Sequence, residues 1–253
     1  MRIAVFLDVD KTLTKDFIQQ EYARVLGCEP EYLALETEFQ NTHDATKFGK
    51  ELIKLFASRG FTEGRAIDNF SRIVLQEWTD EMLKLPGVDK YLVSSGPSYY
   101  IDALAAKYNI PHESKSCSVY KFSSDTHLIE SCAAVSAENK ADFVRRIISS
   151  QKNPYAITIG VGDSPLMDGP FIAHCTIRLM TVPTDQAIYI PDFNSVILLI
   201  RRLSELAKDG VFDPFQLTMP ELARKMTTER WIYVIGSLVT LFSMGFGIGR
   251  FLR

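Results

Sequence analysis

The sequence predicts an α/β protein in which a parallel sheet is covered by helices on both faces. Short apolar runs typical of buried strands alternate along the chain with longer segments in which apolar residues recur at a spacing of three and four. Polar residues directly follow several of the apolar runs, and in open parallel sheets ligands bind beyond the carboxyl ends of the strands. The same pattern therefore predicts the fold class and the edge of the sheet where a site would lie.

Composition restricts the class of protein further. The 253 residues suffice for one large domain, or for a core domain with a smaller insertion. The formal net charge of -3 gives no indication of a nucleic-acid partner, and we expect none. The four cysteines are widely spaced and contain no CxxC pair. This spacing indicates reduced thiols in a reducing compartment rather than disulfides or a metal site.

The first predicted strand ends at Leu7, within the stretch VFLDVDKTLT, and helical spacing follows it. The helical segments cover residues 16–26, 31–40, 46–60 and 62–83, and we expect the last to contain more than one helix. We therefore predict a helical cap, residues 14–89, inserted after the first strand of a core that comprises residues 1–13 and 90–210.

The rest of the core continues the alternation of strands and helices. KYLVSSG is typical of a second buried strand, and YAITIGVGDS is typical of a third that runs into a Gly-Asp turn. Pro97 favours a helix that begins just after it, and Ser136 with Glu138 favours another. The predicted elements are a strand at 90–96, a helix at 98–110, a hairpin within 115–135, a helix at 136–151, strands at 155–164, 176–182 and 186–190, and a helix at 194–210.

Residues able to carry chemistry follow the predicted strand ends and helix starts. They are Asp8, Asp10, Ser94, Ser95, Gly96, Lys140, Asp163 and Asp168. Asp8 and Asp163 would converge from neighbouring strands, and carboxylates that close repel each other unless a cation lies between them. Oxygen ligands with no nearby His or Cys cluster suit Mg²⁺. The Ser-Ser-Gly turn at a helix N-terminus and the ammonium group of Lys140 would bind an anion, so the set predicts phosphoryl transfer.

The spacing of the DVDKT stretch agrees with this chemistry. Asp8 can attack phosphorus and form an aspartyl-phosphate. Asp10 can donate a proton to the leaving oxygen and then accept one from the hydrolytic water. We expect Thr12 to fix the turn between these residues and the next helix.

Four stretches of the chain resemble, in order and spacing, the four motifs of the haloacid dehalogenase superfamily. They are DVDKT, LVSSG, Lys140 within AENKADF, and GVGDSPLMD. The chain is most similar to the phosphoserine-phosphatase-like branch, which carries a helical cap after the first motif. The resemblance implies a Rossmannoid three-layer core and reaches from residue 1 to about residue 205.

The resemblance also implies roles for the site residues. Mg²⁺ would be held by the side chains of Asp8 and Asp163 and by the backbone carbonyl of Asp10. Asp8 would be the nucleophile and Asp10 the general acid and base. Ser94 and Lys140 would hold phosphoryl oxygens, with Ser95 as the alternative hydroxyl, and Asp168 would support the metal or the lysine.

One position departs from the pattern of the relatives that select phosphoserine. These relatives usually carry a cap glutamate seven residues after the second aspartate of the first motif, and here that position is Phe17. A hydrophobic side chain cannot form an ion pair with a substrate ammonium group. We therefore expect a substrate other than phosphoserine, unless Asp16 or Glu21 supplies the carboxylate.

These observations predict a Mg²⁺-dependent phosphatase that hydrolyses a small phosphorylated substrate. Two alternatives stay open at this point. The first is a catalytically degenerate binding module tethered to a membrane. The second is a phosphotransferase that uses the same aspartyl-phosphate, which would need a cap that excludes water and admits an acceptor.

The C-terminal segment WIYVIGSLVTLFSMGFGIG, residues 231–249, contains no charged residue. A helix of roughly nineteen residues is about 28 Å long, close to the thickness of a bilayer core. We therefore predict a linker over residues 211–230 and a single-pass C-terminal membrane anchor, with the catalytic domain on the cytoplasmic side. The alternative is an apolar helix buried in the protein, or one whose glycines pair copies of the chain into a homo-oligomer.

Overall fold

The computed structural model describes residues 2–190 and 192–208. The predicted linker and the predicted anchor, residues 211–230 and 231–249, lie outside the described residues. Within the described ranges, every helix is too short or too polar to cross a membrane. The membrane anchor therefore stays a prediction from the sequence.

The described residues form one seven-stranded sheet with the strand order β4-β3-β2-β1-β5-β6-β7. Adjacent strands are parallel except for the β3–β4 hairpin, which is antiparallel. The strands are β1 (Ile3–Leu7), β2 (Val88–Pro97), β3 (Lys115–Phe122), β4 (Ile129–Ala133), β5 (Ile157–Gly162), β6 (Ile177–Met180) and β7 (Ile188–Tyr189). The predicted α/β class and the mostly parallel sheet are confirmed.

Helices pack on both faces of this sheet, which accounts for the apolar character of the central strand. Side chains alternate between the faces of a strand, so Val5 and Leu7 of β1 pack in one hydrophobic cluster while Phe6 packs in the other. All five residues of β1 are buried. The described helices are α1 (Ile18–Val25), α2 (Glu29–Thr42), α3 (Ala45–Ser58), α4 (Glu63–Asp68), α5 (Thr79–Lys84), α6 (Ser98–Lys107), α7 (Ala137–Ser149), α8 (Gly169–Ile172) and α9 (Asn194–Lys208).

The helices α1 to α5 all lie between β1 and β2, as the sequence predicts. The predicted segment 62–83 contains α4, a 3₁₀ turn at Phe70–Arg72, and α5, so it holds more than one helix. The division of the chain into a core and a cap stays a prediction.

Local chemistry sets where the helices near the site begin and end. A capping box at Ser136 and Asn139 starts α7, so Lys140 lies in its first turns. The helix α6 begins directly after Pro97 but ends at Lys107, three residues before the predicted end. Asn109 has a left-handed backbone with φ of 54°, which a continuing α-helix excludes.

Candidate active site

The carboxyl ends of three adjacent strands define the floor of a cavity of about 430 Å³. Asp8 directly follows β1, and Asp163 directly follows β5, which pairs with β1 in parallel. The Ser94-Ser95-Gly96 turn lies in the last residues of β2, on the other side of β1. Parallel pairing thus brings residues that are far apart in the sequence to one edge of the sheet.

Lys140 is the buried cation of this floor. Its Nζ donates hydrogen bonds of 2.8 Å to Oδ1 of Asp8 and of 2.8 Å to Oδ1 of Asp168. All three side chains are at most 4% exposed. Burial alone would lower the pKa of Lys140, but the charges of Asp168 and Asp8 outweigh it and raise that pKa, so the ammonium group stays charged.

The acidic groups of the floor are held in an environment that disfavours charge. Burial, followed by the charge of Asp168, raises the pKa of Asp8 well above its usual range, and the charge of Lys140 opposes this shift. Burial, again followed by the charge of Asp168, raises the pKa of Asp163 to about 7. Carboxylates that lie close together and have raised pKa values when no metal is present are typical of a site that binds a cation.

Asp8, Asp163 and Asp168 offer oxygen atoms that lie within 4.8 Å of one another. Both carboxylate oxygens of Asp168 already accept hydrogen bonds. Its Oδ1 accepts from Lys140, and its Oδ2 accepts from the backbone N–H groups of Asp163 and Ser164 at 3.1 and 3.0 Å. The buried Oδ2 of Asp8, in contrast, has no hydrogen-bond partner among the described residues. A hard divalent cation with oxygen ligands fits this donor set, with Asp8 and Asp163 as ligands and Asp168 as their support.

Asp10 lies two residues further on and faces a different set of partners. Its Oδ1 accepts from the backbone N–H of Ile18 at 2.7 Å, and its Oδ2 accepts from Oγ of Ser94 at 3.4 Å. Burial raises the pKa of Asp10 to about 6, although the hydrogen bond from Ile18 and the charge of Lys140 oppose this. A carboxyl group that titrates near neutral pH is suited to exchange protons in both directions.

The two serines of the β2 turn have different environments. Ser94 is fully buried, and its Oγ accepts a 2.8 Å hydrogen bond from the backbone N–H of Gly96. Ser95 lines the cavity, and its Oγ has no hydrogen-bond partner within the described part of the chain. A Cβ atom added at Gly96 would lie 2.6 Å from Oδ2 of Asp10 and 2.9 Å from Oγ of Ser94, so a larger residue there would displace one of these side chains.

The turn after Asp10 is held by Thr14 rather than by Thr12. Thr14 Oγ1 accepts from the backbone N–H of Lys11 at 3.2 Å and donates to the carbonyl oxygen of Asp16 at 2.7 Å. The buried Oγ1 of Thr12 has no partner among the described residues. The sequence offers two threonines here, and it does not show which one points into the turn.

Side chains from the inserted helices form the opposite wall of the cavity. The wall residues include Phe17, Gln19, Tyr32, Glu36, Phe39, Gln40 and Phe48. Asp16 and Glu21, which the sequence offers as substitutes for a cap glutamate, instead form ion pairs with Arg24. Glu36 carries no sequence signal of its own, because a glutamate in a mostly exposed helix with one buried residue belongs to no motif.

An α/β fold with an acidic site at the carboxyl edge of a parallel sheet defines a broad class of hydrolases and transferases. A family model described as haloacid dehalogenase-like hydrolase matches residues 5–171, and the chain belongs to this family. The match includes every candidate residue from Asp8 to Asp168. No curated protein matches the chain.

Several solved structures share the fold. A substrate-bound phosphoserine phosphatase complex is 16% identical, with 78% of this chain and 97% of that chain covered and a TM-score of 0.66. A phospho-aspartyl intermediate analogue of phosphoserine phosphatase is 17% identical, with 71% and 85% covered and a TM-score of 0.60. A HAD family hydrolase from Salmonella enterica subsp. enterica serovar Typhi is 17% identical over 70% of this chain, with a TM-score of 0.61, and the match spans 61% of that protein. These likenesses concern the fold.

Proposed function

We propose that this protein is a Mg²⁺-dependent phosphatase of small phosphomonoesters that works through an aspartyl-phosphate on Asp8. The observation that carries the proposal is the state of the Asp8 carboxylate. Its Oδ1 is fixed by Lys140, while its Oδ2 is buried at the cavity floor without a hydrogen-bond partner in the described part of the chain. A carboxylate with one oxygen anchored and the other uncommitted is arranged for nucleophilic attack.

The side chains of Asp8 and Asp163 and the backbone carbonyl of Asp10 would hold the Mg²⁺ ion. When bound, the ion supplies positive charge that offsets the repulsion between the carboxylates and an anionic phosphoryl group. Asp168 keeps the loop that carries Asp163 in place through its two backbone hydrogen bonds. The charge of Lys140 favours the ionised form of Asp8, because it opposes the rise that burial causes in the pKa of that residue.

The residues of this chain account for both halves of the reaction. In the first half, Asp8 Oδ2 forms a bond to phosphorus, the bond from phosphorus to the ester oxygen breaks, and Asp10 gives its proton to the departing alcohol. In the second half, the Asp10 carboxylate takes a proton from water, whose oxygen attacks phosphorus. The bond from phosphorus to Asp8 breaks, and the products are inorganic phosphate and the starting carboxylate.

The β2 turn and Lys140 are proposed to hold the phosphoryl oxygens. Ser94 Oγ donates only a long 3.4 Å hydrogen bond, to Asp10, so its proton can be redirected to a phosphoryl oxygen. Ser95 offers a second hydroxyl without a partner among the described residues. The N-terminus of α6 starts directly after this turn and favours an anion there.

The test is phosphate release from a panel of phosphomonoesters with and without Mg²⁺. We expect Asp8→Asn to abolish release, because an amide is a poor nucleophile, and chelation of the metal to abolish it in the wild type. Asp142→Asn is the matched control, since Asp142 is an exposed carboxylate of α7 paired with Arg145. Equal and metal-independent rates for all three proteins would refute the proposal.

The sequence supports a second, separate proposal about the C-terminal segment. We propose that residues 231–249 tether the enzyme to a membrane, on the basis of their uncharged composition alone. The full chain should stay with membranes after a carbonate wash, and Leu238→Lys with Leu241→Lys should release it. Recovery of the wild-type chain in the wash would reject the tether and leave the phosphatase proposal untouched.

A further inference from the structure

The cavity wall opposite the catalytic floor carries a carboxylate, that of Glu36, for which the described residues provide no ion-pair partner. Glu36 of α2 accepts a 2.8 Å hydrogen bond from Nε2 of Gln40 at one oxygen and a 3.3 Å hydrogen bond from the hydroxyl of Tyr32 at the other. Among the residues that the structure describes, Lys, Arg and His side chains form no ion pair with it. Its neighbour Glu38, in contrast, is paired with Lys47.

Three aromatic rings share the cavity with this carboxylate, and one of them, Tyr32, contacts it through its hydroxyl. Tyr32, Phe39 and Phe48 line the same cavity, with ring centroids 6.3 Å apart for Tyr32 and Phe48 and 5.3 Å apart for Phe39 and Phe48. The faces of aromatic rings attract cations, and they do so most strongly where water is partly excluded. A carboxylate that shares a cavity wall with aromatic rings is a combination suited to a methylated ammonium group, which has positive charge but no N–H to donate.

Among the described residues that line the cavity, the lysine other than Lys140 is Lys11, and it is held away from Glu36. Lys11 Nζ lies 3.8 Å from the ring centroid of Phe17, on the side of the cavity next to Asp10. This contact occupies the face of Phe17 and leaves the cluster of Glu36, Tyr32, Phe39 and Phe48 for another cation. The cavity therefore presents anion-binding groups at its floor and cation-binding groups at its wall.

We infer that the substrate is a phosphomonoester of a small alcohol that carries a quaternary ammonium group, with its nitrogen seated against Glu36 and the three rings. This inference rests on the proposed phosphatase activity and adds the class of leaving alcohol to it. The cavity of about 430 Å³ accommodates a small ester with one charge at each end.

The experiment compares choline phosphate with 3,3-dimethylbutyl phosphate, its neutral isostere in which carbon replaces the nitrogen. The two esters have the same shape and the same phosphate, so a difference in kcat/KM reports the charge alone. We expect the wild type to prefer choline phosphate by about tenfold, and Glu36→Gln to lose most of that preference. Glu38→Gln is the control on the same helix and should keep the wild-type preference.

A binding measurement gives a readout that does not depend on turnover. Calorimetry of the Asp8→Asn protein should show tighter binding of choline phosphate than of the neutral ester, and the double variant with Glu36→Gln should bind both alike. Release of phosphate from both esters at equal rates by the wild type would overturn the inference and leave the phosphatase intact. Absence of release from every phosphomonoester would instead refute the proposed function itself.

Discussion

The floor and the wall of the cavity are built in different ways. The floor consists of strand ends and the first turns of α7, and its key groups are almost fully buried, with Lys140 and Asp168 at most 3% exposed. The wall consists of α1, α2 and α3, and Glu36 there is only half-buried and takes its two hydrogen bonds from residues of its own helix. This contrast suggests that the floor determines which reaction occurs, while the wall determines which alcohol is accepted.

The largest effect on the floor is expected from Lys140→Met. This change keeps the approximate volume but leaves the buried carboxylates of Asp8 and Asp168 without their shared cation. We expect loss of activity by more than a thousandfold and, in chelator, a decrease in unfolding free energy of about 3 kcal/mol. Denaturant unfolding and phosphate release check both parts. Lys84→Met, at an exposed lysine paired with Asp80, should change neither, and a fully active Lys140→Met protein would show that the floor does not set the reaction.

The next effect in size is a steric one at the β2 turn. Gly96→Ala would place a Cβ atom 2.6 Å from Oδ2 of Asp10 and force that carboxylate to move. We expect activity to fall by roughly a hundredfold, because small displacements of a proton-transfer group are costly. Gly64→Ala is the control, since the nearest atom to its Cβ would be 3.9 Å away in a helix that favours alanine. Equal kcat values for the two variants would contradict the assigned position of Asp10.

The pH dependence of metal binding gives a smaller and graded effect. Burial raises the pKa of Asp163 to about 7. Between about pH 4 and pH 7, the metal-free folded protein therefore holds a proton on Asp163 that the unfolded chain has released. Without metal, this group therefore lowers the stability as pH rises through about 7. Mg²⁺ has to displace that proton at low pH, so the increase in Tm caused by Mg²⁺ should be larger at pH 8 than at pH 5.5. An increase that is independent of pH would contradict a role for Asp163 in holding the metal.

The smallest effects should separate the two serines of the turn. Ser94→Ala removes the acceptor for the backbone N–H of Gly96, so we expect a stability loss of about 1 kcal/mol together with a roughly tenfold lower kcat/KM. Ser95→Ala removes a hydroxyl with no partner among the described residues and should leave stability unchanged, with a decrease in kcat/KM of only about twofold. The reverse order of kcat/KM would assign the phosphate contact to Ser95.

The positions of the strand-end residues of the floor could be predicted from the sequence. Parallel pairing of β1 with β2 and β5 leaves little freedom in where Asp8, Ser94 and Asp163 lie. The number of strands and the five helices between β1 and β2 likewise agree with the alternation of apolar runs and helical spacing, whereas the order of the strands in the sheet was not predicted. In this part of the molecule, the pattern of residues along the chain and the pairing of the strands both lead to the same fold.

The wall and the details of the turns could not be predicted in this way. Glu36 stands out only in the structure, where it lines the cavity together with Tyr32. The spacing of residues along a helix does not show which part of the protein a given face of that helix packs against. Thr14 rather than Thr12 holds the turn because of a side-chain direction that the sequence leaves open. The end of α6 depends on the backbone of Asn109, a residue type that tolerates the left-handed region without requiring it.

The most direct test of the central claim is to locate the phosphoryl group during turnover. The wild-type protein is mixed with an excess of a hydrolysed phosphomonoester and Mg²⁺, quenched in acid within milliseconds, digested, and analysed by mass spectrometry. We predict a phosphorylated peptide that contains Asp8, whose phosphate is removed by hydroxylamine as expected for an acyl-phosphate. Continued phosphate release with no phosphorylated Asp8, or with the phosphate on another residue, would contradict the account.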